Sequence, residues 1–130
     1  MSSITDRVTL RTATAFFAVG FVVHHLDHLR RGYGVVEEGV IVGRTVAAML
    51  AAVLFTLVVT RHRTAPLAAV VVGSAVVIGV VLVRVVPPFG PPSDHLGADG
   101  TDTWSWLAVG VELVAAAMLV GVGVRDLQRR

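Results

Sequence analysis

Ala65–Val83 reads APLAAVVVGSAVVIGVVLV, nineteen residues without a charge. At 1.5 Å per residue such a run makes a helix of about 28 Å, close to the roughly 30 Å hydrocarbon core of a bilayer. Its valines favour strands by propensity alone. The run is too long for a strand, however, and shows no alternation of period two. Pro66 falls in the first helical turn, where a missing N–H costs nothing, and Pro87-Pro88 ends the segment.

Three other stretches read the same way, so the sequence predicts helices over about 8–29, 40–60, 66–86 and 104–124. The expected fold class is all-α: an integral membrane four-helix bundle, forming a single domain over 1–130, with an outer loop at 87–103. Asp102 or Thr103 suits the cap of the last helix, and Trp104 and Trp106 fall where an interfacial aromatic belt would place them.

Composition supports this. Apolar residues make up 55% of the 130 residues and charged residues 15%, against about 25% charged in soluble proteins. The mean hydropathy is +0.78. A soluble domain of this size buries only about 60–70% of its surface and could not hide so much Val, Ala and Leu from water. There is no Cys, which excludes disulfides, thiolate metal sites and cysteine nucleophiles. All 11 basic residues are Arg, and the net charge is only +2. No basic patch with interleaved aromatics points to nucleic acid. The first apolar stretch leads into His24-His25-Leu26-Asp27-His28 and Arg30-Arg31 in place of a small-residue cleavage site, so it is not read as a signal peptide.

Orientation follows from the distribution of Arg around short loops. With the N-terminus inside, seven fall on the cytoplasmic side (Arg7, Arg11, Arg61, Arg63, Arg125, Arg129, Arg130) and four outside (Arg30, Arg31, Arg44, Arg84). This predicts an N-in/C-in multi-pass protein of a bacterial inner membrane, with the lipid bilayer as its main partner. Small residues four apart (Ala47/Ala51, Ala48/Ala52, Ala69/Gly73, Ala75/Gly79, Ala117/Gly121) offer close helix contacts where lipid supplies no hydrophobic drive. Spare small-residue faces suit a homo-oligomer or a membrane-protein partner.

The polar residues are concentrated at one depth. Only twelve uncharged residues separate Arg11 from His24, about 18 Å of helix. The first span must therefore take in His24, His25, Asp27 and His28, or else pull Arg11, Arg7 and Asp6 inward. The first costs less, because His can be neutral and Asp27 can pair with Arg30 or Arg31. By the same ruler His24 and Glu112 lie about 12 Å below the outer boundary, with His28, Arg44 and Arg84 about 5–6 Å below it. All four helices thus bring a polar group to the outer half and none to the inner half. An ionised carboxylate near mid-membrane costs about 2.5–3.5 kcal/mol or more, so Glu112 must be neutral, paired or hydrated.

Four chemistries fit this cluster of His24, Asp27, His28, Arg44, Arg84 and Glu112. In the first it is interhelical glue, with Glu112 on His24 or an Arg and Asp27 on an adjacent Arg. In the second, His24 and His28 project from one helix face and hold Zn, Fe or Mn with Glu112, while Asp94 and His95 fold over as a lid. The third, b-type haem or a quinone, is disfavoured because the outer-half helical histidines share one helix. The fourth is an outer-facing anion or proton site using Arg44, Arg84, Glu112 and His24. His24-His25-x-x-His28 resembles one histidine box of the membrane di-iron desaturases and hydroxylases, but those enzymes need several boxes and this chain has one. His25 is expected to point away from His24 and His28 toward the interface. His62, Glu37 and Glu38 read as solvated, and Ser74 and Ser105 have no adjacent base. The sequence points to a structural, accessory or binding protein rather than an enzyme, with metal binding as the alternative.

Overall fold

The computed structural model describes residues 8–31, 38–85 and 102–130. Four helices follow one another: α1 (Leu10–Arg31), α2 (Glu38–Val59), α3 (Ala65–Val80, continuing as a π turn over Val81–Val85) and α4 (Thr103–Gln128). The expected loop 87–103, with Asp94 and His95, lies outside the described residues except at its last two positions. The last helix runs past the expected Val124 to Gln128, because no proline follows to stop it.

Cross-helix contacts fix an up-and-down arrangement. Arg125 donates to the Val8 carbonyl at 2.9 Å, His24 meets Glu112, and Arg30 reaches Asp102. Helices α1 and α4 are therefore antiparallel along their full length. The Arg11 guanidinium donates to the Val59 carbonyl, so α2 ends where α1 begins. One end of the bundle, the turn end, carries the α2–α3 connection and the start of α1. The opposite end, the loop end, carries the α1–α2 and α3–α4 connections.

The α2–α3 turn closes by backbone bonding. Arg61 N–H donates to Val58 O and His62 N–H to Leu57 O, at 3.2 and 2.8 Å. This pattern satisfies the last carbonyls of α2 and requires a left-handed residue between them, here Arg61 at φ 54°. Asp102 caps α4 by accepting from Ser105 N–H at 3.1 Å, as the sequence suggested.

Helix α4 packs closely on both α1 and α3, whereas α2 is peripheral, and among its described side chains Leu54 and Val58 are the buried hydrophobics. The apolar core fills the turn-end half, where Phe17, Leu54, Val58, Ala69, Val72, Leu119 and Val122 meet. Glycine makes the closest approaches possible. A Cβ on Gly123 would sit 2.9 Å from the Pro66 carbonyl oxygen, and one on Gly73 would sit 3.0 Å from that of Ala116. Of the small-residue pairs singled out in the sequence, Ala69/Gly73 lies at this α3–α4 contact. Ala48 and Ala52 are exposed, and Ala75/Gly79 faces open space.

Among the described residues, three helices are long and apolar enough to cross a membrane, at 42–59, 65–84 and 103–128. This is consistent with a multi-pass membrane protein and accounts for three of the four expected spans. Helix α1 has the length, 22 residues, but His24, His25, Asp27, His28, Arg30 and Arg31 make its last two turns too polar by composition.

The α3–α4 contact yields a test. Gly123→Ala must push Pro66 and Val70 aside and should destabilise the bundle by about 1–3 kcal/mol. Gly110→Ala, where an added Cβ meets nothing within 4 Å, should leave the melting temperature in detergent unchanged or raise it. Equal melting temperatures for the two variants would contradict the packing described.

Candidate functional site

The buried polar side chains collect in the loop-end half: His24, Asp27 and His28 from α1, Arg84 from α3, and Ser105 and Glu112 from α4. Thr14 is the exception, and it donates to its own helix at Leu10 O. Arg44 of α2 is half-buried and lines the same cavity. The helices thus bring together His24, His28, Arg44, Arg84 and Glu112, with Asp27 beside them.

Spacing explains the placement. His24 and His28 are one turn apart, so their rings share a face; they stack with centroids 4.8 Å apart. Asp27 also turns inward, and Val19, Val22, Leu26 and Leu29 occupy the opposite, exposed face. Gly20 lies one turn before His24 and has no side chain to hold the helices apart. A Cβ there would come within 3.1 Å of the Glu112 Cα. This close approach brings the His24 imidazole onto the Glu112 carboxylate, and the sequence reading missed it. The available signal was a glycine four residues ahead of a buried histidine.

The hydrogen bonds form a line. His24 Nδ1 donates to Glu112 Oε2, and His24 Nε2 faces His28 Nε2 at 3.0 Å. With His24 neutral, its Nδ1 proton is committed to Glu112, so its Nε2 accepts from the His28 N–H. With His24 cationic, the direction reverses and His24 donates at both ends.

Beside it lies a second network. Asp27 is fully buried and accepts from Arg30 at 2.8 Å, while the Arg84 guanidinium, 1% exposed, lies 3.7 Å from its other oxygen. The Arg84 contact is an ion pair by distance and too long for a hydrogen bond. The sequence left Arg84 free to reach inward or to snorkel outward, and the structure places it inward. It sits in the π turn Val81–Val85, a local widening that often marks functional positions in helices. Arg30 bridges on to Asp102 at 2.8 Å. The Ser105 N–H, and then Arg30, hold the Asp102 carboxyl below its ordinary range. One arginine thereby links the buried acid of α1 to the cap of α4.

Between α1, α2 and α3, with Glu112 of α4 reaching its wall, lies a cavity of about 300 Å³. His24, His28, Arg44, Arg84 and Glu112 line one part of it, and Leu50, Val76 and Val80 line the rest. His25 lines it too, correcting the expectation that it points away. Its Nδ1–H donates to Phe21 O at 2.8 Å, and its ring lies on that of Phe21. His62 is exposed, as read from its flanking charges, and its Nδ1 accepts from the Thr64 hydroxyl at 2.8 Å. Among the described residues no group of three or more His, Asp or Glu is arranged to hold a metal ion. Asp94 and His95 lie outside the described residues.

Comparison with protein families, with curated proteins and with solved structures returns no match.

The His24–Glu112 bond makes a prediction. In Glu112→Gln the side-chain carbonyl can still accept from His24, so the melting temperature should barely move. Glu112→Leu leaves a buried N–H without its acceptor and should cost about 1–3 kcal/mol. Equal melting curves for the two variants would show that this bond holds nothing.

Proposed function

We propose that this chain is a four-pass membrane protein, N-in and C-in, whose loop-end cavity binds a small ligand from the extracytoplasmic half of the bilayer. It acts as a binding or accessory subunit and not as an enzyme. The single observation carrying this reading is the convergence of His24, His28, Arg44, Arg84 and Glu112, from four different helices, on one cavity of about 300 Å³. Ligand pockets run from roughly 300 to 1,000 Å³ and combine apolar walls with a few convergent polar groups. Helix glue alone would need the polar groups but not the space.

The fourth crossing is supported by the way α1 distributes its polarity. Its histidines and Asp27 are buried while Val19, Val22, Leu26 and Leu29 are exposed. That pattern, polar inside and apolar outside, suits a helix surrounded by lipid and is costly for one surrounded by water. Its 22 residues span about 33 Å, enough for the hydrocarbon core.

A metal site is the second reading, and one observation favours it. The 3.0 Å separation of His24 Nε2 and His28 Nε2 suits two ligands on one ion. Glu112 would then act from behind, orienting His24 through Nδ1 as carboxylates commonly do for metal-bound histidines.

Two experiments test the proposal. The chain has no cysteine, so single-cysteine variants report topology cleanly. Tyr33→Cys and Ser93→Cys should react with a membrane-impermeant thiol reagent in intact cells, and Ser3→Cys and Thr64→Cys only after permeabilisation. Labelling of Ser3→Cys and Tyr33→Cys from the same side would mean that α1 does not cross. For the ligand, native mass spectrometry of untagged protein should show a bound small molecule that a Gly43→Leu/Gly79→Leu variant lacks. Stoichiometric metal by elemental analysis, lost in His24→Ala, would replace this reading with the metal site.

A further inference from the structure

The turn end carries a second concave surface, remote from the loop-end cavity. It is an open pocket of about 360 Å³ where Arg11 of α1, Arg61 and His62 of the α2–α3 turn, and Arg130 beyond α4 converge. Val58, Ala65 and Pro66, all buried, supply its apolar lining.

The two ends of the bundle treat arginine differently. At the loop end Arg30 is held by two carboxylates, Asp27 and Asp102. In the turn-end pocket the one carboxylate on the described lining is Asp126, whose Oδ1 accepts twice from Arg125. The Arg11 guanidinium donates to Val59 O at 3.4 Å and that of Arg130 to Arg63 O, both neutral acceptors. Among the described residues none of Arg11, Arg61 and Arg130 is paired with a carboxylate. A guanidinium has five N–H donors, so one bond to a carbonyl leaves most of its capacity unused. Two helices begin and two end here, so their dipoles oppose one another and the side chains set the sign of the field. That sign is positive.

His62 is oriented in the same sense. Its Nδ1 accepts from the hydroxyl and the backbone N–H of Thr64, at 2.8 and 3.3 Å. The neutral ring therefore carries its proton on Nε2, as a donor. Arg61 has a backbone φ of 54°, a conformation that favours glycine at a helix ending. The turn itself does not ask for an arginine there.

The level of the pocket in the bundle identifies what meets it. The apolar span of α2 ends at Val59 and that of α3 begins at Ala65, so Arg61 and His62 lie between them. Arg11 is the second residue of α1, and Arg130 lies two residues past the end of α4. All four side chains are thus at helix ends, the level at which lipid phosphates lie. Below them α3 exposes Leu67, Val71 and Ile78, a strip at helical spacing that suits acyl chains.

We infer that the turn-end pocket binds the phosphate headgroup of an anionic phospholipid, with its acyl chains along the exposed strip of α3. Arg11, Arg61 and Arg130 approach from different elements and donate charge-assisted bonds to the phosphate oxygens, joined by the Nε2–H of His62. The site is separate from the loop-end cavity and needs only that the turn end meet a membrane surface. With the N-terminus inside, as proposed above, that surface is the cytoplasmic leaflet.

The test titrates the full untagged chain, in a neutral detergent, with phosphatidylglycerol, phosphatidylcholine and inorganic phosphate, and counts bound molecules by native mass spectrometry. One phosphatidylglycerol per chain should bind about tenfold or more tighter than phosphatidylcholine. Arg61→Gly is the decisive variant, because glycine suits the turn better than arginine. Its melting temperature should hold or rise, while phosphatidylglycerol weakens by about fivefold or more. Arg63→Gln, on the same turn but off the pocket lining, should bind like the parent. So should the Gly43→Leu/Gly79→Leu variant, which alters the other cavity. Equal weakening by Arg61→Gly and Arg63→Gln would mean diffuse attraction and would overturn the site. Equal affinity for the two lipids would overturn anionic recognition. Inorganic phosphate that displaces phosphatidylglycerol at equal concentration would make the ligand a free anion and overturn the lipid assignment. Loss of phosphatidylglycerol only in the Gly43→Leu/Gly79→Leu variant would move the lipid to the loop-end cavity and overturn the inference.

Discussion

The organisation of the loop-end half depends on how closely α1 and α4 approach at Gly20. With no side chain at that position, the Glu112 backbone packs against it, and the His24 imidazole one turn further along meets the Glu112 carboxylate. A buried acid and a buried imidazole would each be costly alone and are tolerated together. The pair then determines what else can be buried. His28 extends the line through its Nε2, and Asp27, turned inward on the same helix, needs cations of its own. It takes Arg30 from the same helix and Arg84 from α3. One steric permission at a glycine thus leads to a network that reaches three helices.

The same requirement divides the bundle into two halves with different adhesives. Toward the turn end, Phe17, Leu54, Val72 and Leu119 pack as an ordinary apolar core, with Gly73 and Gly123 letting α3 and α4 touch. Toward the loop end, charge pairing replaces apolar packing, and among the described side chains α2 contributes the half-buried Arg44. Helix α2 is held at its turn-end half by Leu54 and Val58 and leaves the cavity beside its other half. Apolar packing tolerates few voids, whereas a polar cluster can keep space beside it when its groups bond one another.

Much of this was legible in the sequence because membrane length is an arithmetic constraint. The uncharged run Ala65–Val83 announces a helix, and the short interval from Arg11 to His24 forces the histidines into the first one. Depth counting placed His24 level with Glu112 before any contact was known. Other features were not legible, for physical reasons. Periodicity says which residues share a face but not which face looks inward, so Arg84 could equally have snorkelled outward, and His25 was assigned away from the cavity it lines. Small residues signal close approach only when another helix is there to approach. Ala69/Gly73 meets α4, while the equally spaced Ala75/Gly79 borders a gap. Hydropathy averaged along a helix also misses that within the polar last two turns of α1 His24, Asp27 and His28 are buried while Leu26 and Leu29 are exposed.

That last distinction bears on the proposed function. A helix with histidines and an aspartate inside and valine and leucine outside makes sense only if its partners inside require polarity. Much of the requirement is met within the bundle by Glu112, Arg30 and Arg84. The cavity beside them is not needed to satisfy those bonds, and a Cβ added at Gly43 or Gly79 would meet nothing within 4 Å. The space is open at the side of the bundle, where Gly43, Val46, Ala75 and Gly79 are exposed, so it can be entered without opening the helices. A space that the bundle's own hydrogen bonds do not require, and that is open at its side, is what the proposed ligand site would use.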